Sequence, residues 1–137
     1  MPPRHLKIGE LAARAGVRVD TVRYYERRKL LPKATRASSG YRTFSEADVE
    51  RLLFTKQAQA LGFTLDEIIA ILASMDLGEV DYARAAKRVE RVIARVDDKL
   101  AELRAMRKQL ARLLRRYSTG GCKDLERAAD GMRRRLE

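Results

Sequence analysis

The sequence predicts a mainly α-helical chain. It reads as a short helix pair and a small basic hairpin, then a second helix pair, one very long helix and a helical tail. Three observations predict this. Apolar residues recur at three- and four-residue spacing over most of the chain. From Val89 to Tyr117 they recur every seven residues without a break. One stretch alone, KATRASSGYRTF, sets turn residues among residues that favour extended backbone.

The first pair lies in IGELAARAGVRVDTVRYYERRKLL. Ile8, Leu11, Ala12 and Ala15 follow helical spacing, and Gly16 stops the helix because glycine takes the left-handed conformation after a C-cap. A second helix covers about 19–28. Val22 and Tyr25 form its inner face, Thr21, Tyr24 and Arg28 lie on another, and Arg23 and Arg27 flank that one. A helix, a glycine-bearing turn and a helix make a helix-turn-helix pattern. In KATRASSGYRTF, Ser38, Ser39 and Gly40 form the turn of a hairpin, or wing, with Arg36 and Arg42 beside its tip. A basic hairpin next to a basic helix suits a grip on a phosphate backbone while the helix enters the major groove.

Ser45 starts the third helix as an N-cap, with Asp48 three residues on as a capping-box variant. The helix runs to about Ala60 with Val49, Leu52, Leu53, the stem of Lys56 and Ala60 inward. Leu61–Gly62–Phe63 breaks it. Thr64 and Glu67 form the capping box of a fourth helix with Leu65, Ile68, Ile69 and Leu72 inward. Residues 75–81 read as an acidic loop, and the long helix follows over about 82–117. Val89, Val96, Leu103, Leu110 and Tyr117 stand seven apart. Val92, Met106 and Leu113 take the complementary positions, and Lys99 interrupts them. Such a helix is about 50 Å long, and the rest of the chain has too little spare apolar surface to cover its seam. The expectation is that a second copy covers it; the alternative is packing on the chain's own globular part. STGG ends the helix, and residues 123–136 form a weakly amphipathic tail helix with Leu125, Ala128, Ala129 and Met132 on one face.

The net charge is +11, and its excess lies in front: residues 1–62 carry 13 Lys/Arg against 6 Asp/Glu. That balance favours a polyanion through counterion release, and nucleic acid is the usual one. The one cysteine, Cys122, excludes an intrachain disulfide. No apolar run approaches the roughly 18 residues of a membrane span, and residues 1–7 carry no apolar signal region. The expectation is a soluble cytoplasmic protein with no membrane partner. His5, the only histidine, reads as a solvated leader residue. No nucleophile–base pair, phosphate-binding glycine loop or His/Cys/carboxylate cluster argues for an enzyme.

IGELAARAGVRVDTVRYYERRKLL, then SGYRTFSEADVERL, then QALGFTLDEIIAIL resembles the MerR family of bacterial transcription regulators, nearly ungapped from Leu6 to about Leu72. The elements RYYE, GYR and LGF-LDEI carry the resemblance at these separations. The long helix fits that family's antiparallel dimerisation coil. The resemblance implies a winged helix-turn-helix DNA-binding domain over 1–75, a linker and antiparallel coiled-coil dimerisation helix over 76–117, and a loop and short helical tail over 118–137. It implies a homodimer that binds a palindromic operator in double-stranded promoter DNA. Such a dimer distorts the duplex in response to an effector and so controls RNA polymerase as activator or repressor.

By position, the resemblance puts Thr21, Arg23, Tyr24 and Tyr25 in the recognition helix and Tyr41 and Arg42 in the wing. The spacing agrees for Arg23, Tyr24 and Arg42, but gives Tyr25 an inner, packing position. Arg18 stands where the family often has a capping Ser, Thr or Asn. An arginine cannot cap, at a cost of about 1 kcal/mol, but it brings a long cation to the DNA-facing end. The dimerisation residues are Val89, Val92, Val96, Leu103, Met106, Leu110 and Leu113.

The effector is less legible. Many such regulators bind thiophilic metals with one cysteine at the start of the dimerisation helix and two in the loop after it. Here Tyr82 stands at that start and only Cys122 follows the helix. One thiolate makes no tetrahedral site, so no cofactor is assigned and a metal effector is disfavoured. Tyr82, Tyr117 and Cys122 remain candidates for a small-ligand or thiol site. An inert thiol, and a redox or electrophile sensor favoured by Lys123 and opposed by Asp124, both stay open. Two alternatives to an effector-responsive regulator also stay open. One is an effector-independent repressor or architectural DNA-binding protein. The other is a coiled-coil interaction protein whose basic face is incidental.

Overall fold

The computed structural model describes residues 5–32, 35–36, 40, 42–119 and 123–137, with the backbone alone for 35 and 36. Ser38, Ser39, Tyr41 and Cys122, and the side chain of Arg36, lie outside that description. The elements are α1 (Ile8–Ala15), α2 (Val19–Arg27), β1 (Thr35–Arg36), β2 (Arg42–Thr43), α3 (Glu46–Ala60), α4 (Leu65–Asp76), α5 (Tyr82–Ser118) and α6 (Lys123–Leu136). The chain divides into two compact units, 1–92 and 93–137, so the first turns of α5 belong to the front unit.

The core of the front unit is one cluster. Leu11, Ala12 and Ala15 of α1 meet Val22 and Tyr25 of α2, Val49, Leu52 and Ala58 of α3, and Ile68 and Leu72 of α4. Leu6, Leu30, Leu31 and Phe44 close it from the connecting segments. Two of these segments are sewn together, because Leu6 and Phe44 exchange both backbone hydrogen bonds at 2.8 Å. The hairpin is a short antiparallel ribbon with Thr35 opposite Thr43 and Arg36 opposite Arg42.

Four helices of this unit end in one way. The amide of the left-handed residue bonds a carbonyl three residues back, and the next amide bonds one five back. After α1 these are Gly16 to Ala13 at 3.2 Å and Val17 to Ala12 at 2.9 Å; after α3, Gly62 to Gln59 at 3.0 Å and Phe63 to Ala58 at 3.1 Å. After α4 they are Gly78 to Met75 at 3.0 Å and Glu79 to Ser74 at 3.1 Å. After α2 they are Lys29 to Glu26 at 3.1 Å and Leu30 to Tyr25 at 2.9 Å. Three of the four left-handed residues are glycines, and the fourth is Lys29 at φ 62°. The sequence places the end of α2 over 29–32, with Pro32 closing that stretch, but gives no sign that a lysine takes the left-handed position.

The starts of α3 and α4 follow the sequence. The Asp48 carboxylate accepts from the Ser45 amide at 2.9 Å and its hydroxyl at 3.3 Å. Thr64 accepts from the Glu67 amide at 3.2 Å while Glu67 accepts from the Thr64 amide at 3.3 Å.

Three expectations need correction. In α3, Leu53 and Ala60 are exposed, and the buried stripe passes through Thr55 instead. Thr55 can be buried because its hydroxyl donates to the Arg51 carbonyl at 2.8 Å, a bond that hydrophobic spacing does not register. The loop expected over 75–81 begins later, since α4 continues to Asp76. Val92, placed in the seam facing a partner, is only 6% exposed within its own chain. Its Cγ1 lies 3.4 Å from where a Cβ on Gly62 would stand, so it covers the α3–α4 turn. The other seam residues Val89, Val96, Leu103, Met106, Leu110 and Leu113 are exposed in a single chain.

A non-glycine residue held left-handed costs about 1–2 kcal/mol. Lys29→Gly is therefore expected to raise the unfolding free energy by about 1 kcal/mol after the extra chain entropy of glycine is subtracted. A urea titration giving no gain would contradict the left-handed stop.

Candidate nucleic-acid interface

Nine residues make α2, too few to persist alone. Its position comes from burial of Val22 and Tyr25 on one side, which leaves Arg18, Arg23, Tyr24 and Arg27 exposed. Arg18 stands at the N-cap with extended backbone, φ −79° and ψ 153°, and makes no side-chain cap. Its carbonyl accepts from Val22 at 3.1 Å. The loss of a cap read from the sequence is therefore real, and the side chain reaches solvent. Asp20 partly offsets it, as an acid in the first turn complements the helix dipole.

Tyr24 and Tyr25 divide as the spacing implied. Tyr24 is 40% exposed and Tyr25 7%. The Tyr25 hydroxyl lies 3.4 Å from Gln59 Oε1 at the end of α3, a long contact that leaves the ring as the main contribution. Tyr24 is instead flanked by cations. The guanidinium carbons of Arg27 and Arg28 stand 6.0 and 5.8 Å from its ring centroid. Arg28 also donates to its hydroxyl at 2.8 Å.

An open depression of about 480 Å³ is lined by Arg18, Asp20, Thr21, Tyr24, Tyr25, Gln59 and Leu65. It brings together four residues singled out from the sequence, Arg18, Thr21, Tyr24 and Tyr25. Gln59 and Leu65 were not anticipated, because nothing in their own segments marks them as neighbours of α2. Arg23 lies outside it, 3.6 Å from Asp20.

Arg42 of the ribbon is exposed, but its Nη1 lies 3.4 Å from the carboxylate of Glu26, whose side chain is only 11% exposed. The wing arginine thus also fastens the ribbon to α2. Arg36 stands opposite Arg42 in the backbone register.

Two further side chains, both from α3, brace the ends of α2 and α1. Arg51 donates to the Leu30 carbonyl through Nε at 3.1 Å and Nη2 at 2.9 Å, and to Asp76 through Nη1 at 2.6 Å. Lys56 donates to the carbonyls of Ala15 and Gly16, both at 3.2 Å, and so completes the α1 terminus. The sequence reading counted only the stem of Lys56; its ammonium does local work at a helix C-terminus.

Tyr82 and Tyr117 are both exposed, and Cys122 lies outside the described residues. No cluster of three or more His, Cys, Asp or Glu able to hold a metal occurs among the described residues. No described helix is long and apolar enough to cross a membrane.

This arrangement has known relatives. The pattern of the MerR HTH family regulatory proteins matches residues 6–75, and that of the MerR DNA-binding region matches residues 49–113. A mercuric resistance operon regulatory protein of Bacillus cereus is 39% identical over 113 residues, covering 80% of this chain and 83% of the relative. The HTH-type transcriptional regulator ZntR of Escherichia coli is 36% identical over 108 residues, covering 78% and 77%. Among solved structures, the transcription regulator PbrR691 from Ralstonia metallidurans, crystallised with lead(II), superposes with a TM-score of 0.73 at 38% identity. That superposition covers 81% of this chain and 86% of the other. A cationic, aromatic α2 beside a basic ribbon, on a fold shared with these proteins, places the chain: it belongs to the MerR family of HTH regulatory proteins and is a DNA-binding transcription regulator, not an enzyme.

Proposed function

We propose that the chain works in the cytoplasm as a homodimer that grips a palindromic promoter operator with two copies of α2 and the ribbon. The dimer distorts the duplex so that RNA polymerase uses the promoter differently. One observation carries the reading. A 37-residue helix follows a cationic DNA-reading unit and keeps Val89, Val96, Leu103 and Leu110 exposed at seven-residue spacing. A seam of that period is buried by a second helix. Met106 and Leu113 complete it, while Val92 serves the chain's own core.

In this reading residues 1–75 are the DNA-binding domain, 76–117 the linker and dimerisation helix, and 118–137 the loop and tail. Arg18 and Arg23 reach phosphates or guanine edges from α2. Thr21 and Tyr24 add shorter polar contacts, and Tyr25 holds the helix by packing. Arg36, Tyr41 and Arg42 hold the flanking backbone from the ribbon. These contacts divide into positioning and readout, and bending the duplex adds specificity through its deformability.

The trigger is the open part. One relative above is named for mercuric resistance and another was crystallised with lead(II), which supports a metal effector as a class. The donor set here does not fit a thiolate metal centre, since each chain has one cysteine and one histidine and such a centre takes several sulfur or nitrogen ligands. The reading therefore favours another effector, either a small ligand near Tyr82 and Tyr117 or an oxidant or electrophile at Cys122. The single cysteine equally favours a second reading, an effector-independent repressor. A reporter promoter carrying a selected operator, challenged with thiophilic metals, oxidants and cationic organics, separates these readings. Induction by one class that is lost in Cys122→Ser or Tyr82→Ala supports the first. No response to any class supports the second.

Two variants test the framework. Leu103→Glu is expected to give monomers by light scattering with operator binding lost; surviving dimers would contradict the seam. Arg42→Ala is expected to weaken binding to all duplexes and to lower the slope of log affinity against log salt by about 1. An unchanged slope would mean that Arg42 serves only Glu26.

A further inference from the structure

Arg28 was not among the residues expected to read DNA, yet it joins one of them to the first turn of α4, next to Leu65 at the rim of the depression. Its Nη1 donates to the Tyr24 hydroxyl at 2.8 Å. Its Nη2 pairs with Oδ1 of Asp66, in the first turn of α4. Asp66 is 83% exposed at its side chain, and exposed ion pairs contribute little to stability. Nor is Asp66 needed to start α4, because Thr64 and Glu67 already close that capping box. The pair therefore has a consequence for Tyr24 and little for folding.

That consequence follows from the donor count. A tyrosine hydroxyl has one proton to donate and two acceptor lone pairs. With Arg28 donating into the oxygen, the proton is directed elsewhere, and the neighbouring positive charge makes it a stronger donor. Asp66 in turn holds the guanidinium in its fork geometry, so that it points at Tyr24 rather than swinging outward as a generic cation.

We propose that Arg28 and Asp66 are positioning residues that commit the Tyr24 hydroxyl to donate to a phosphate oxygen of the operator. They set the register of α2 on the duplex, and Asp66 does so without touching DNA. The proposal rests on α2 being the DNA-facing helix. It has a sign opposite to simple electrostatics, since removing an exposed acid from a basic protein should otherwise tighten binding to any polyanion.

The test compares the full chain with Asp66→Asn, Tyr24→Phe, the double variant and Arg23→Ala. Each is titrated with a selected operator and with a random duplex of equal length at one salt concentration. Asp66→Asn is expected to lower the ratio of operator to random affinity about five- to tenfold, the scale of one charge-assisted contact. Random-duplex affinity should change by less than about twofold, because the lost phosphate contact is offset there by removal of an acid from a basic protein. The operator also loses base contacts that depend on the register of α2. In the Tyr24→Phe background the same change should alter the ratio by less than about twofold. A merely structural role for Asp66 would not vanish when the Tyr24 hydroxyl is removed. Equal tightening of both duplexes by Asp66→Asn, or full additivity with Tyr24→Phe, overturns the proposal. If Arg23→Ala weakens operator binding while Tyr24→Phe and Asp66→Asn do nothing, the relay is wrong and α2 remains the reading helix. If none of the three matters, the α2 reading falls with it.

Discussion

A nine-residue helix that must offer cations to a polyanion cannot rely on its own hydrogen bonds. Burial of Val22 and Tyr25 holds α2 in place. Full burial of an aliphatic or aromatic side chain contributes about 1.5–3 kcal/mol, and these two also fix the rotation of the helix. Once they face inward, Arg23 and Arg27 face out and Tyr24 lies at the edge. The rest of the front unit serves that orientation. α1 and α3 supply the opposing wall, and Leu6, Phe44, Leu30 and Leu31 close it where the connections cross.

The end of α2 is held more firmly than its start. Arg18 caps nothing, whereas the far end has a left-handed stop at Lys29 and two bonds from Arg51 to the Leu30 carbonyl. Arg51 also holds Asp76, the last residue of α4. The exit from α2 and the exit from α4 therefore share one side chain. Glu26 extends the same bracing to the ribbon through Arg42.

Periodicity and punctuation made the helices legible. Gly16 and Gly62 marked two stops, Ser45 and Thr64 marked two starts, and the tail helix was read with both ends correct. Where the outcome depended on satisfied polar groups, the sequence was silent. Thr55 displaced Leu53 from the core through one hydroxyl bond, Lys56 closed a helix terminus, and Lys29 took a conformation that usually calls for glycine. The site was legible where it depended on helix faces, as with Tyr24 outward and Tyr25 inward. It was not legible where distant segments meet, as with Gln59 and Leu65 beside α2 or Asp66 on Arg28. Val92 shows the same limit, because heptad spacing cannot tell a partner's helix from the chain's own turn.

In the proposed dimer, one α2 with its ribbon reads one stretch of major groove, and α5 is the element that sets a second copy at fixed spacing for a palindrome. Hydroxyl-radical footprinting of the selected operator tests this most directly. The account predicts two protected patches related by two-fold symmetry, with centres a whole number of helical turns apart, about 34–36 Å per turn. Insertion of half a turn between them should abolish both. A single patch, or binding indifferent to the insertion, would contradict it.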